Sequence, residues 1–260
     1  MILAVDAGNT RVKAALVDSA RVTELFALST AVVFDDPRVF SRALDGCGSR
    51  LERLDGAAVC SVVPGFDRVI GPAIRRATGK SAFFVRHDSD LPFRLRLARP
   101  ARVGADRLAA AAGAIAPRRA DAIVVDIGTA ITVDLIAGGE FRGGLIMAGP
   151  GLALRALGAY ARRLPGIDAK AMAGGVPIRF DDTEPAMKLG ARAAAVGAVL
   201  EGVRVLRRAS RLSPAVFVTG GGARLVRDRL PRGWRQEPDL VAKGLYRLWR
   251  LNLRSGKKKP

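Results

Sequence analysis

The chain is 260 residues long and 49% hydrophobic, with 43 Lys and Arg against 24 Asp and Glu and a formal net charge of +19. That length can bury a substantial core, as one large domain or two small ones. Two cysteines (Cys47, Cys60) and a single histidine (His87) exclude a disulfide framework and a His/Cys zinc site.

In chain order, the apolar run from Met1 is cut by Asp6, too early for a signal-peptide core. It predicts a buried strand ending at Asp6, a Gly-containing turn, a partly alternating strand over Arg11–Val17, a turn at Asp18-Ser19 and a third strand over Ala20–Leu28. Short strands follow at Gly56–Val63 and Ser81–Val85. Gly79-Lys80-Ser81 looks like the end of a P-loop, but Ile74 stands where its first glycine belongs. Ala105–Ala116 is an alanine-rich helix stopped by Pro117. Further strands follow at Ala122–Asp126, Ala130–Ala137 and Glu140–Ile146. The longest charge-free apolar stretch, between Arg142 and Arg155, is broken by glycines and Pro150 and falls short of the roughly 18 residues of a membrane span. Thr183 caps a helix, Pro185 sits close behind, and Ala186–Arg208 carries apolar residues at helical spacing. A strand at Ala215–Thr219 leads into Gly220-Gly221-Gly222. Ser255–Pro260, with three lysines, reads as a disordered basic end. No Gly-x-Gly-x-x-Gly follows a strand, which argues against a dinucleotide-binding dehydrogenase. A cytoplasmic protein that does not meet a membrane is expected.

The segments beginning at Ile2 and Ala122 run in parallel, 120 residues apart: Asp6 aligns with Asp126, Gly8 with Gly128, and the turn at Asp18 with that at Gly138. Two related halves of alternating strands and helices give an α/β protein with domains at 1–118 and 119–260, divided near Pro117–Ala120. A strand ending in Asp-x-Gly followed by Asn or Thr suits phosphate. Glycine lets the backbone approach closely, turn amides and a hydroxyl donate to phosphate oxygens, and the aspartate can hold Mg²⁺ through water. Gly220–Gly222 offers backbone on which a purine or ribose could rest. At the start of the alanine-rich helix, Asp106 can accept a proton from a substrate hydroxyl while Arg107 forks onto a carboxylate. An Asp-Arg pair at a helix start reads equally as a capping ion pair.

The motifs Asp6-Ala-Gly-Asn-Thr10, Ser61-Val-Val-Pro64, Gly104-Ala-Asp-Arg107, Asp126-Ile-Gly-Thr-Ala-Ile-Thr-Val-Asp134 and Gly143-Gly144 with Pro150-Gly151 resemble type III pantothenate kinases. So do Leu164-Pro165, Asp182-Thr183-Glu184 with Gly190, Thr219-Gly-Gly221, and Asp239-Leu240 with Gly244-Leu245, in the family's order along nearly the whole chain. The resemblance implies two related actin-like (ribonuclease H-like) domains with an interdomain active-site cleft, and a homodimer. It implies phosphorylation of pantothenate by ATP, the first step toward coenzyme A, with Mg²⁺ and a monovalent cation, K⁺ or NH₄⁺. Carried over by residue, ATP would be bound by Asp6, Ala7, Gly8, Asn9, Thr10, Arg11, Val12, Lys13 and Thr129, with either Arg11 or Lys13 reaching phosphate. Asp126 would take the monovalent cation. Pantothenate would be bound by Gly104, Ala105, Asp106, Arg107 and Thr183, with Asp106 as proton acceptor. Two positions depart from the family pattern: Ala161 where a Thr-Ala pair often precedes x-Leu-Pro, and Ile131 where the second phosphate turn usually has another Thr.

Of the 43 basic residues 35 are arginine, scattered rather than striped, and aromatics are only 5%. The pattern fits a solvated basic surface, and no specific nucleic acid is expected. Two other readings remain: a regulatory accessory protein of this fold with little or no turnover, and a related kinase with another small acceptor. The helix Ala186–Leu206, rich in Ala and Gly, is the candidate dimer surface.

Overall fold

The protein is described by a computed structural model, which covers residues 1–115, 121–172 and 175–254. The expected helix stop at Pro117, the expected boundary at 117–120 and the basic end at 255–260 lie outside the described residues.

The chain forms two compact units. One comprises Met1–Ala120, Gly139–Phe141 and Asp239–Pro260; the other comprises Asp121–Gly138 and Arg142–Pro238. The sequence expectation of two contiguous halves therefore differs from the observed grouping at the C-terminus, which returns to the first unit.

In the first unit, β1 (Ile2–Ala7), β2 (Arg11–Val17), β3 (Val22–Ser29), β4 (Gly56–Ser61) and β5 (Ala82–Phe84) form a sheet of order β3-β2-β1-β4-β5. β2 runs antiparallel to β1, and β4 runs parallel to it. Short helices α1 (Thr30–Asp35) and α2 (Arg38–Asp45) follow β3, and α3 (Asp67–Thr78) connects β4 to β5. The core is built from alternate positions of the sheet, such as Leu3, Val5, Ala57 and Val59, with Phe40, Phe66, Ile70 and Ile74 from the helices and their connections. β6 (Arg94–Leu95) and the helix α4 (Ala105–Ala114) complete the N-terminal stretch.

The second unit repeats the plan. β7 (Ala122–Ile127), β8 (Ala130–Ala137), β9 (Glu140–Ala148), β10 (Ala215–Thr219) and β11 (Arg235–Gln236) take the order β9-β8-β7-β10-β11, with β6 joined at the β9 edge. Again the second strand is antiparallel to the first, and the strand after the helices is parallel to it. The duplication seen in the sequence is thus a duplication of strand order. It is not exact at the turns: Ala7 pairs with Val12 across four residues, whereas Ile127 pairs with Ile131 across three. Lys13 consequently lies opposite Asp6, while Thr132 lies opposite Asp126.

After α5 (Pro150–Tyr160), the long α6 (Thr183–Ser210) buries Met187, Ala191, Ala195, Val199 and Val203, a stripe spaced at every fourth residue that faces the core. Its N-cap is Asp182, whose carboxylate accepts from Thr183 N at 2.6 Å. This corrects the expectation that Thr183 caps the helix; Thr183 is the first helical residue.

The last helix, α7 (Leu240–Arg254), had no predicted counterpart and packs on α4 with backbone almost touching backbone. A Cβ on Gly244 would fall inside the Ala109 carbonyl and 3.0 Å from Gly113 N; one on Gly113 would fall inside the Leu240 carbonyl. Arg247 donates to the carbonyls of Ala112 and Ile115, satisfying acceptors at the end of α4. Trp249 leans on Gly56, where a Cβ would meet the indole Nε1 at 2.5 Å.

Two glycines in helices should therefore answer oppositely to the same substitution. Gly197, exposed in α6, has nothing within 4 Å of a new Cβ in the single chain, so Gly197→Ala should stabilise the isolated chain, measured at dilution, by about 0.4–1 kcal/mol. Gly244→Ala should destabilise by about 1–3 kcal/mol or more, because the neighbouring group is rigid backbone. Urea unfolding of both variants checks this; an unchanged midpoint for Gly244→Ala would mean the two helices are free to move apart.

Candidate active site

The first strand-end turn is held from behind by a threonine. Thr30, buried at the start of α1, donates through Oγ1 to Gly8 O at 2.6 Å and through its amide to Thr10 O at 3.0 Å. Gly8 N donates to Arg11 O at 3.0 Å, closing the turn. Because N–H and C=O of one peptide plane point opposite ways, tying back the Gly8 carbonyl aims the Asn9 amide outward. Asn9, Thr10 and Arg11 are exposed, and Lys13 is half-buried. Ala7 and Val12 are buried, so either reaches a ligand only through backbone.

At the end of β1 the Asp6 carboxylate stands next to Cys60, its register partner on β4, whose Sγ lies 3.5 Å from Asp6 Oδ1. Burial raises the Asp6 pKa to about 6, helped by the negative charge of Asp106 and opposed by Lys13 and the thiol. Burial, with the charges of Asp6 and Asp106, pushes the Cys60 thiol well above its ordinary range, so it stays protonated. Cys47 and Cys60 are both free and buried.

Asp106 occupies the first turn of α4, whose N-cap is Gly104. Its Oδ1 accepts from Arg107 N at 2.8 Å. That oxygen lies where a Gly104 Cβ would sit, and Val62 Cγ1 is 3.5 Å from the same point. The carboxylate thus accepts from a first-turn amide of α4 and is shielded from water. Desolvation raises its pKa, against the Arg107 amide and charge. The Arg107 guanidinium lies over the Phe141 ring, 5.8 Å from its centroid.

The second turn is built with less help from side chains. Gly128 N donates to Ala130 O at 2.9 Å, and Gly149 N, capping α5, donates to Thr129 O at 3.0 Å. A Cβ on Gly149 would press on the carbonyls of Gly128 and Thr129, at 2.7 Å from the latter. The glycine run after β10 covers Asp126. At φ 92°, Gly220 has no room for a side chain, since a Cβ would fall onto Asp126 Oδ1 and 2.5 Å from Ile127 O. Gly222 N donates to that carbonyl at 2.8 Å. At Gly220 the run packs directly on the Asp126 carboxylate. Thr183 is exposed at the start of α6, in the second unit.

A cavity of about 750 Å³ in the first unit, lined by His87, Asp90, Phe93 and Leu251 among others, includes none of these turn residues. Among the described residues no three His, Cys, Asp or Glu side chains cluster to cage a metal. No described helix is long and apolar enough to cross a membrane.

A model of the type III pantothenate kinase family matches residues 2–204. The chain belongs to that family. The Desulfovibrio desulfuricans type III pantothenate kinase is 32% identical over 259 residues, covering 95% of this chain and 96% of its own. Among solved structures, a conserved Campylobacter jejuni protein assigned to the Baf family of transcriptional activators superposes with a TM-score of 0.60 at 16% identity, covering 97% of this chain and 99% of that one. MreB 5 of Spiroplasma citri bound to AMPPNP gives 0.53 at 11% identity, covering 98% of each. At those identities the likeness is one of fold, and the fold is the two-domain actin-like one, as the repeated strand order requires.

Sequence reasoning missed Thr30, Cys60 and Gly149, and it singled out Gly220 without its place against Asp126. Only Cys60 carried a local signal, through its place just before Ser61-Val-Val-Pro64.

Asp6→Asn should raise the stability of the nucleotide-free protein at pH 7.5. A carboxyl whose folded pKa (about 6) lies above its unfolded value binds more protons folded than unfolded between roughly pH 4 and 6. Its charged form therefore opposes folding above pH 6, on the order of 2 kcal/mol, and the penalty fades as pH falls toward 4. Melting temperatures at pH 7.5 and 4.5 should show the variant ahead at the first and its lead much reduced at the second.

Proposed function

We propose that this chain transfers the γ-phosphoryl group of ATP to the primary hydroxyl of pantothenate, opening the route to coenzyme A. The observation that carries the reading is the desolvated Asp106 carboxylate at the N-terminus of α4, within a chain matched along its length by type III pantothenate kinases. A carboxylate with a raised pKa is a better proton acceptor at neutral pH than an ordinary one.

Phosphoryl transfer passes through a loose transition state, so positioning and charge stabilisation dominate. Asp106 orients the hydroxyl and takes its proton late. Arg107, whose guanidinium lies over the Phe141 ring, is assigned to the pantothenate carboxylate, which its fork of donors suits. The rest of the substrate pocket is assigned to Gly104, Ala105 and Thr183. ATP phosphates are assigned to the amides of Asp6–Lys13, to Thr10 and to Thr129.

Asp6 and Asp126 suit different cations. Asp6 is a shielded carboxylate with one weak donor, fit to hold Mg²⁺ through water. Asp126, packed beside the Ile127 carbonyl, offers hard oxygens suited to K⁺ or NH₄⁺. Both ions, when bound, supply neutralising charge beside the phosphates.

We also assign a homodimer, formed along the exposed face of α6. Gly190, Ala193, Ala194 and Gly197 are exposed there with Leu200 and Val205, small residues that permit close helix approach. Light scattering at micromolar concentration should give twice the 27.5 kDa of one chain; a single-chain mass would refute the dimer.

One pantothenate-dependent ADP-release assay tests the chemistry. Wild type should turn over in K⁺ or NH₄⁺ buffer and slow in Na⁺; equal rates would remove the monovalent cation from the account. Asp106→Asn should lose about 10²- to 10³-fold in kcat, the lower part of the range for a lost general base, with ATP affinity little changed. If Asp106 only caps its helix, the variant instead loses about 1 kcal/mol of stability and turns over normally. No turnover with any pantothenate concentration would leave the regulatory reading in its place.

A further inference from the structure

Cys60 stands between the two carboxylates of the first unit. As the register partner of Asp6 on a parallel neighbour, it projects from the same face of the sheet at the same level. Its Sγ is 3.5 Å from Asp6 Oδ1, within the reach of a thiol donor, and the residue is 0% exposed. Among the described residues that thiol is the hydrogen-bond donor the Asp6 side chain has. The following residues reach both ends of the site: Val62 N donates to Ala7 O at 3.1 Å, and Val62 Cγ1 lies 3.5 Å from the Cβ position of Gly104. Ser61 fixes this segment locally, its Oγ accepting from Val63 N at 3.2 Å.

A carboxylate inside a protein accepts hydrogen bonds only, and without donors it swings toward whatever solvent it can reach. The kind of donor matters here. An arginine or lysine in contact would hold Asp6 as an ion pair and spend its charge. A thiol is neutral and a weak donor: it restrains one oxygen while leaving the negative charge for a hydrated cation. Because Cys60 is sealed from solvent, no water can take its place.

We infer that Cys60 is a positioning residue for the Asp6 carboxylate, its thiol holding Oδ1 so that the group is set to receive the magnesium–nucleotide complex. The inference rests on the reading of Asp6 as the carboxylate that meets that complex.

The test is MgATP binding by calorimetry to wild type, Cys60→Ser, Cys60→Ala, Cys60→Val, Asp6→Asn and the Asp6→Asn/Cys60→Ala double variant, with a melting curve for each. Ser keeps a donor, Ala removes it, and Val removes it while filling the space; whichever of Ala and Val folds carries the comparison. Loss of the donor should weaken MgATP binding about 2- to 10-fold, the scale of one hydrogen bond. Cys60→Ser should stay within about twofold of wild type, on the same scale, and the KM for pantothenate should not move. In the Asp6→Asn background, removing the thiol should have no further effect. MgATP binding at the wild-type level without the donor overturns the inference while leaving Asp6 in its role. So does an equal loss in both backgrounds, which would make Cys60 a packing residue. An Asp6→Asn protein that binds MgATP like wild type overturns the reading of Asp6 itself, and this inference with it.

Discussion

Where α7 crosses α4 there is no room for a side chain from either Gly244 or Gly113, and the acceptor end of the first unit is hung from that crossing. The Ala109 carbonyl fills the space beside Gly244, and Arg247 reaches across to the last carbonyls of α4. Clamped along its C-terminal half, α4 can neither slide nor roll, so its first turn is fixed in height against β4. Asp106 then falls beside Val62 and close enough to Asp6 and Cys60 for its charge to act on both. A helix from the end of the chain thus bears on the position of a carboxylate about one to two turns away. This is also why the C-terminus belongs to the first unit rather than the second.

What that packing brings together is mutually repulsive. Asp6 and Asp106 are both withdrawn from water, and each is less acidic for it. Lys13 acts against this at Asp6 and Arg107 at Asp106, but burial outweighs both. Most ion pairs of the molecule lie elsewhere and are exposed, as with Arg38–Asp36, Arg204–Glu201 and Arg179–Asp181, where such pairs add little. The first unit therefore gathers two buried carboxylates at one place while the chain as a whole carries +19. The long-range field draws anions in, and the local field calls for a cation to accompany them. A nucleotide with its magnesium satisfies both demands at once, whereas a bare phosphate satisfies one.

The parts of this arrangement that were legible in the sequence are those with a local cause. β1 and β7 are continuous apolar runs ended by an aspartate, and α4 is alanine-rich with a charged first turn; both patterns speak for themselves. The extra residue in the first turn was not legible, because the offset of 120 matches Asp with Asp and Gly with Gly whatever the pairing beyond. Gly244 reads locally as a weakness inside a helix, and its reason is the Ala109 carbonyl, 135 residues earlier in the chain. Asp6 and Cys60 are 54 residues apart and meet only because β4 returns parallel to β1. Thr183 was taken for a cap when Asp182, one residue before it, makes the hydrogen bond; both residue types cap helices, and only the backbone angles decide.

The two turns show how one duplicated device came to be finished in two ways. Each begins as strand, Asp-x-Gly, strand, and each has a parallel neighbour beside the aspartate: β4 with Cys60, β10 with Thr219. In the first copy the backing is made by side chains, Thr30 behind the turn and Cys60 against the carboxylate. In the second the backing is main chain, with Gly149 pressed on the turn carbonyls and Gly220 on the aspartate itself. Under the proposed assignment of the cations, the side-chain backing of Asp6 goes with a small, strongly hydrated divalent ion and the main-chain backing of Asp126 with a larger, weakly hydrated monovalent one. The neighbours of the two turns differ where the Asp-x-Gly motif does not.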